Sequence, residues 1–333
     1  MILPPSLTVP ITGMLDDNLP ADVFYVPAYK LYDRSTWRFD PVKITELTQH
    51  RLCIIDYSTE NYNESVPAEY DYFVELGINF ILLSHNPDHH LTKPNLLFYP
   101  YWLDWSRSQL KFPEIDLMHR RYQIASMSRS PRAHRIVNYV LLKHKPYFDA
   151  AVITAHQEIG DMSHITRADD VVVPDTIQTQ WDHIKGSLPS ATIEQLRAAF
   201  NVVHPGYTDS YAHLIVETSV SRGFFVTEKT WQSVASGQLF LVWGSAGTIA
   251  HLRDMGVDVF DDFIDHKYYD NEQDALTRLD RVHTVLDDLA TQDLHHIYAQ
   301  TLSRREGNIA KFKNGAFGAH YRDQLTQCIN MLN

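Results

Sequence analysis

Apolar positions fall into short unbroken runs separated by polar turns and by stretches of helical period. That alternation predicts parallel strands buried on both faces and connected by helices. The runs 52–57 and 79–84 read as buried strands. Each is followed at once by a polar loop, Ser58-Thr59-Glu60-Asn61 and His85-Asn86-Pro87-Asp88. In parallel sheets, loops at the carboxyl ends of strands are where binding groups collect. The first fifty residues, punctuated by prolines and aromatics, resist assignment. Between residues 95 and 113, the aromatic-rich Leu97-Phe98-Tyr99-Pro100-Tyr101-Trp102 leads into a polar stretch with Lys111 and marks the edge of a first domain.

A second unit opens with a strand over 122–127, the turn Ser128-Arg129-Ser130-Pro131, and a helix over 132–144 with Ile136, Val137, Val140 and Leu141 on one face. A strand over 150–154 and a short helix over 192–200 follow. The richest segment is 212–260. A strand over 212–217 ends on Glu217; Phe224-Phe225-Val226 leads to Thr227 as N-cap of a helix from Glu228 that buries Trp231, Val234 and Ala235; Gly237 stops it. The apolar strand 238–243 runs into Gly244-Ser245-Ala246-Gly247, and Thr248 caps a further helix closed by Gly256. Stretches 275–289 and 294–305 are helical in period.

At 333 residues the chain exceeds what one hydrophobic core supports, so two domains with an interdomain cleft are expected. The boundaries read as 1–120, 121–310 and a C-terminal tail or helix over 311–333. Hydrophobic residues at 44% and charged residues at 21% are ordinary for a globular protein. No window reaches about 18 uninterrupted apolar residues, so no membrane span is expected. The start lacks the charged and apolar regions of a signal peptide, and the expected location is the cytoplasm of a bacterium or of a virus-infected host cell. Two cysteines, Cys53 and Cys328, fit a reducing compartment and read as packed thiols. Twenty-nine Lys and Arg against 41 Asp and Glu give a net charge of −12, which supplies no broad positive field for nucleic acid, although a local basic groove remains compatible. His85, His89 and His90 cluster without metal-ligand spacing or a cysteine partner, so they read as a solvated loop and no metal is expected.

A helix N-terminus carries free N–H groups and partial positive charge, so an anionic diphosphate can dock where Thr227 precedes Glu228, with Lys229 adding a full charge. Glu228 suits a pair of ribose hydroxyls. The plain alternative is that Thr227 and Glu228 merely start a helix. Arg129, Arg132 and Arg135 surround another strand-to-helix turn; arginine forks suit phosphate, and the same spacing also fits the wet face of an amphipathic helix.

Taken together, His213-Leu214-Ile215-Val216-Glu217-Thr218, Phe225-Val226-Thr227-Glu228-Lys229 and Leu241-Val242-Trp243-Gly244-Ser245 resemble, in order and spacing, the donor-domain signature of the α1,3-fucosyltransferase family. The 128–135 turn resembles the family's Ser-Asn turn with its downstream arginine, best matched by Arg135. Tyr57-Ser58-Thr59-Glu60-Asn61 resembles its Gly-Glu-Asn loop, and Tyr99-Pro100-Tyr101-Trp102 its arginine-proline-tyrosine segment. The resemblance spans residues 50–265. Departures are Thr59 where the family has glycine and Arg129 where it has asparagine.

The resemblance implies an α/β fold of two Rossmann-like domains of GT-B type, with an N-terminal acceptor-side domain, a C-terminal nucleotide-sugar-binding domain and C-terminal helices. It implies an inverting, metal-independent transferase whose co-substrate is a GDP- or UDP-sugar and which needs no further cofactor. Glu60 would be the general base, Arg135 and Lys229 would hold the diphosphate, Glu228 the ribose, and Glu217 would have a nearby sugar-binding or structural role; Arg129, Thr227, Gly244 and Ser245 complete the expected donor-binding set. A carboxylate is a suitable base, because an acceptor hydroxyl must lose its proton as it attacks the anomeric carbon. The main expectation is a glycan or other hydroxyl acceptor. One alternative is a phage-type enzyme acting on a hydroxymethylated base in DNA; another is a non-catalytic nucleotide-sugar or glycan-binding protein.

Overall fold

The structure is a computed structural model that describes residues 23–33, 38–58, 66–87, 93, 95–128, 132–155, 171–189, 203–221 and 223–332. The expected 192–200 helix lies outside them. Two compact units are present, one of Ile2–Ser108 with Gly318–Asn333, the other of Gln109–Phe317. Both are mixed α/β units built on parallel sheets, as the alternation predicts. Among the described residues, no helix is long and apolar enough to cross a membrane.

In the first unit, β1 (Val23–Pro27) is followed by the small antiparallel pair β2 (Tyr32–Asp33) and β3 (Arg38–Phe39), then α1 (Pro41–Leu47) and β4 (Leu52–Asp56). Next come α2 (Val66–Glu75), β5 (Phe80–Ser84), β6 (Leu96–Phe98) and α3 (Tyr101–Gln109). The sheet runs β1-β4-β5-β6, parallel throughout, with Val23 opposite Leu52 and Cys53 opposite Phe80. β4 and β5 are buried at every position, which explains their unbroken apolar runs. β1 escaped assignment because it is short, aromatic and ends on Pro27; as an edge strand it tolerates that proline. The C-terminal helix Ala319–Leu332 belongs to this unit: Tyr321 meets Phe98 edge-on, and Arg322 donates to buried Asp104 at 2.9 Å.

The second unit contains β7 (Tyr122–Met127), α4 (Ala133–Lys143), β8 (Val152–Thr154), α5 (Asp175–Ile184), β9 (Ser210–Val216), α6 (Glu228–Ala235) and β10 (Leu239–Trp243). It continues with α7 (Thr248–Asp254), α8 (Ala275–Ala290), α9 (Leu294–Gln300) and α10 (Leu302–Asn314). The sheet order is β10-β9-β7-β8, all parallel. From the central neighbours β7 and β9 the chain leaves in opposite directions, β7 toward β8 through α4 and β9 toward β10 through α6. With right-handed crossovers the two helices cover opposite faces. Packing agrees: Val137 of α4 joins Leu279 of α8 and Trp243 in one cluster, whereas α6 packs against α10.

α6 ends at Gly237, as the sequence predicts: its φ is +64°, and Gly237 N and Gln238 N donate back to Val234 O and Ser233 O at 3.1 and 3.0 Å. The helical stretch expected over 294–305 is instead two helices that meet at Thr301, whose φ of −94° and ψ of 4° depart from helical values although its N–H still donates to Ile297 O at 2.9 Å.

Candidate functional site

The site begins where β7 and β9 diverge. In open parallel sheets such a reversal of winding leaves a crevice at the carboxyl ends of the two strands. Both strand exits lead into helix starts here, α4 and α6, so two sets of first-turn N–H groups and two positive helix ends gather in one place.

The first turn of α4 is tied to the exit of β9. Arg132, the N-cap residue, donates from Nη1 to Thr218 O at 3.1 Å. His134 donates from Nε2 to Glu217 O at 3.0 Å. Its ring is fully buried beside Arg135, Arg132 and Lys229; burial first, then those charges, hold it well below the usual histidine range and therefore neutral. Arg132 and Arg135 are 7% and 6% exposed, so the wet-face alternative does not describe them. Arg129 lies outside the described residues.

Glu217 is fully buried one residue past β9 and accepts four hydrogen bonds: Thr227 N at 3.1 Å, Thr227 Oγ1 at 2.6 Å, Thr230 Oγ1 at 2.6 Å and Thr218 N at 3.3 Å. Burying a carboxylate is costly unless its oxygens are hydrogen-bonded, and here both are. These bonds fix the start of α6. Thr227 does occupy the N-cap position with extended backbone, but its hydroxyl makes no capping bond, a departure from the predicted cap, because Glu217 already takes its proton.

Lys229 is nearly enclosed, its side chain 13% exposed. Its ammonium donates to Thr227 Oγ1 at 2.9 Å, Glu228 Oε1 at 3.0 Å and Thr218 Oγ1 at 3.4 Å. Burial lowers its pKa, helped by the charge of nearby Arg135 and opposed by Glu228 and Glu217. Arg135 and Lys229, one from each helix start, are near enough for the charge of one to act on the other.

Gly244 and Ser245 follow β10. The Gly244 carbonyl accepts from Arg278 Nε at 3.0 Å, and a Cβ at residue 244 would meet Thr248 Oγ1 at 2.9 Å, which accounts for the glycine. Ser245 is 5% exposed, and its Oγ has no hydrogen-bond partner. Thr248 does not cap α7 as predicted; its hydroxyl donates to Ser245 O at 2.7 Å, Gly247 takes the cap position with φ 79°, and the Asp270 carboxylate accepts from Ile249 N and Ala250 N at 2.9 and 3.0 Å.

The second unit therefore brings Arg135, Glu217, Thr227, Glu228, Lys229, Gly244 and Ser245 to one sheet edge. Sequence reasoning missed His134, Thr218, Thr230, Asp270 and Arg278. Arg278, 1% exposed, also donates to the carbonyls of Val220, Glu272 and Gln273 and so pins the loops after β9 and β10. Its signal was available: it stands on the apolar stripe formed by Ala275, Leu279, Val282 and Leu286.

In the first unit, Glu60 lies outside the described residues, as do His89 and His90. His85 is not solvated as expected; it is buried, with Nδ1 3.4 Å from Tyr57 O. The last residue of β4, Asp56, is fully buried and accepts from Tyr25 OH at 2.7 Å and Ser58 N at 2.8 Å; burial raises its pKa. Both cysteines are buried free thiols, as expected. Among the described residues, no group of three or more His, Cys, Asp or Glu is arranged to hold a metal ion.

No family model matches the sequence, and no curated protein matches it, so the resemblance to α1,3-fucosyltransferases rests on the quoted motifs alone. Among solved structures, the chain is similar to that of the DNA-modifying enzyme beta-glucosyltransferase, determined in the presence and absence of its substrate uridine diphosphoglucose. The TM-score is 0.41 at 12% identity, covering 87% of this chain and 79% of that one.

Proposed function

We propose that the protein is a nucleotide-sugar-dependent glycosyltransferase. The observation that carries the reading is the convergence of Arg135 and Lys229 at the strand divergence, with Glu228 beside Lys229. Two cations at two helix starts suit a diphosphate, and a neighbouring carboxylate suits the ribose that such a diphosphate carries. In this reading Arg129 joins the grip on the phosphates, Thr227 and Glu217 shape it, and Gly244 and Ser245 line the donor. Glu60 takes the proton of the acceptor hydroxyl as it attacks the anomeric carbon; the configuration inverts, the nucleoside diphosphate departs, and no metal takes part. Donors with GDP and with UDP are both accommodated by this chemistry.

For the acceptor, the hydroxymethyl group of a modified DNA base is proposed alongside a glycan hydroxyl. The enzyme in the similar solved structure modifies DNA, but a likeness at that TM-score carries no argument, and the net charge of −12 requires any DNA groove to be local.

A thermal-shift screen with GDP, UDP, CMP and their sugars tests the donor, since a ligand that binds only the folded state raises its melting temperature. At least one nucleoside diphosphate is expected to stabilise the protein; no shift with any of them overturns the reading. With the donor known, transfer is assayed on oligosaccharides and on hydroxymethylated DNA. Donor turnover that persists unchanged in Glu60→Gln removes the assigned base, and binding without any turnover leaves a nucleotide-sugar-binding protein.

A further inference from the structure

The two nitrogens of the enclosed His134 ring stand in different positions. Nε2–H donates to the Glu217 carbonyl at 3.0 Å, which puts the lone pair on Nδ1. Nδ1 is buried, and no donor reaches it. A buried acceptor left bare calls for an explanation. Cations gather at the ring: Arg132 and Arg135 from the start of its own helix and Lys229 from the start of α6 all act against a positive charge on it. The Glu217 carbonyl favours that charge, and from β10 the Trp243 ring meets the imidazole edge-on with centroids 5.9 Å apart.

We infer that His134 is the proton-carrying residue of the anion site: as an anion docks at Arg135 and Lys229, Nδ1 takes a proton from solvent, and it returns the proton when the anion leaves. This rests on the nucleotide-sugar reading and adds a residue to which that reading gives no part. Without an anion, three positive charges oppose a fourth in an enclosed position. A docked dianion offsets much of that opposition, and its oxygens are acceptors of the kind an Nδ1–H needs. Coupling of this sort is reciprocal, so the protonated ring tightens the anion by the factor by which the anion favours the proton. The proton is gained on binding, and affinity therefore rises as pH falls. A departing nucleoside diphosphate is more negative than the diester it leaves, so the charge that builds during transfer draws His134 further toward its protonated form.

Sulfate and the sugar diesters of GDP and UDP keep their charge between pH 7.5 and 6.0, so a change in their affinity over that range comes from the protein. In calorimetric titrations of the full chain, wild type is expected to bind them about threefold or more tighter at pH 6.0. The heat should differ between buffers of different ionisation enthalpy in the sense of proton uptake. His134→Gln keeps an amide donor for the Glu217 carbonyl and has no proton to gain; its affinity should be flat with pH and its heat independent of buffer. A flat wild-type profile overturns the inference, as does uptake that persists unchanged in His134→Gln. Should the variant fail to fold, isotope-labelled histidine in the wild type decides: at pH 6.0 saturating ligand is expected to move the Nδ1 shift of His134 from the bare to the protonated position, and an unmoved shift overturns the inference. Proton-linked binding of sulfate without binding of either nucleotide sugar keeps the inference and removes the nucleotide-sugar reading. Binding of a nucleotide sugar without pH dependence does the reverse, and binding of none of the three removes both.

Discussion

Thr227 donates its hydroxyl hydrogen bond to Glu217 Oε2, 2.6 Å away, instead of capping the helix it precedes. The same oxygen accepts from Lys229, so a single threonine links the buried carboxylate to the ammonium. Thr227→Val keeps the shape and deletes both bonds, leaving Glu217 one donor short. A loss of about 1–3 kcal/mol is expected by urea unfolding, with Thr227→Ser close to wild type. A Val variant as stable as the parent would show that the link contributes nothing.

Lys229→Ala removes one of the two cations that converge on the proposed diphosphate. Nucleotide affinity is expected to fall about tenfold or more by calorimetry, because bonds between charged partners in enclosed sites are strong. Glu60→Ala is expected to spare that affinity and abolish transfer. Normal binding and turnover in both variants would remove the site assignment.

Arg278 holds four backbone carbonyls from three loops. Arg278→Met leaves those carbonyls without their donors, and a drop of about 3 kcal/mol or more in unfolding free energy is expected. Nucleotide affinity should fall with it, since the loop of Gly244 and Ser245 loses its anchor. Unchanged affinity in a measurably destabilised variant would separate that loop from binding.

Four buried histidines make stability depend on acidity. Burial pushes His213 down to about 3 and His266 and His283 to about 4, and holds His134 well below the usual range. Between those values and the unfolded value of about 6.5, the unfolded chain binds more protons, so this stability is complete above about pH 6.5 and drains away as pH falls toward 4. At pH 5 His213, His266 and His283 each cost about 2 kcal/mol. Asp56 and Asp270, whose pKa burial raises, act in the opposite sense and offset part of the loss. The urea midpoint should be lower at pH 5 than at pH 7.5; a flat or rising profile would refute it.

Legibility followed burial. β4, β5, β9 and β10 could be placed because strands enclosed on both faces carry runs that little else produces. β1 could not, since an edge strand between prolines has no such run. Lys229 and Arg135 were legible as candidates because a charge beside a strand-to-helix turn is visible in one dimension. His134 and Thr230 were not: each acts through a partner distant in sequence, Glu217, and no local spacing announces that. Thr227 was placed correctly and given the wrong hydrogen bond, because a nearby buried carboxylate competes better for its hydroxyl than a helix N–H does.

The starts of α4 and α6 are moored to one short stretch of chain: Arg132 and His134 donate to the carbonyls of Thr218 and Glu217, and the Glu217 carboxylate accepts from Thr227 N. Whatever separates the two helix ends is therefore fixed by main-chain atoms and one enclosed acid, so substitutions farther along either helix would leave that spacing as it is.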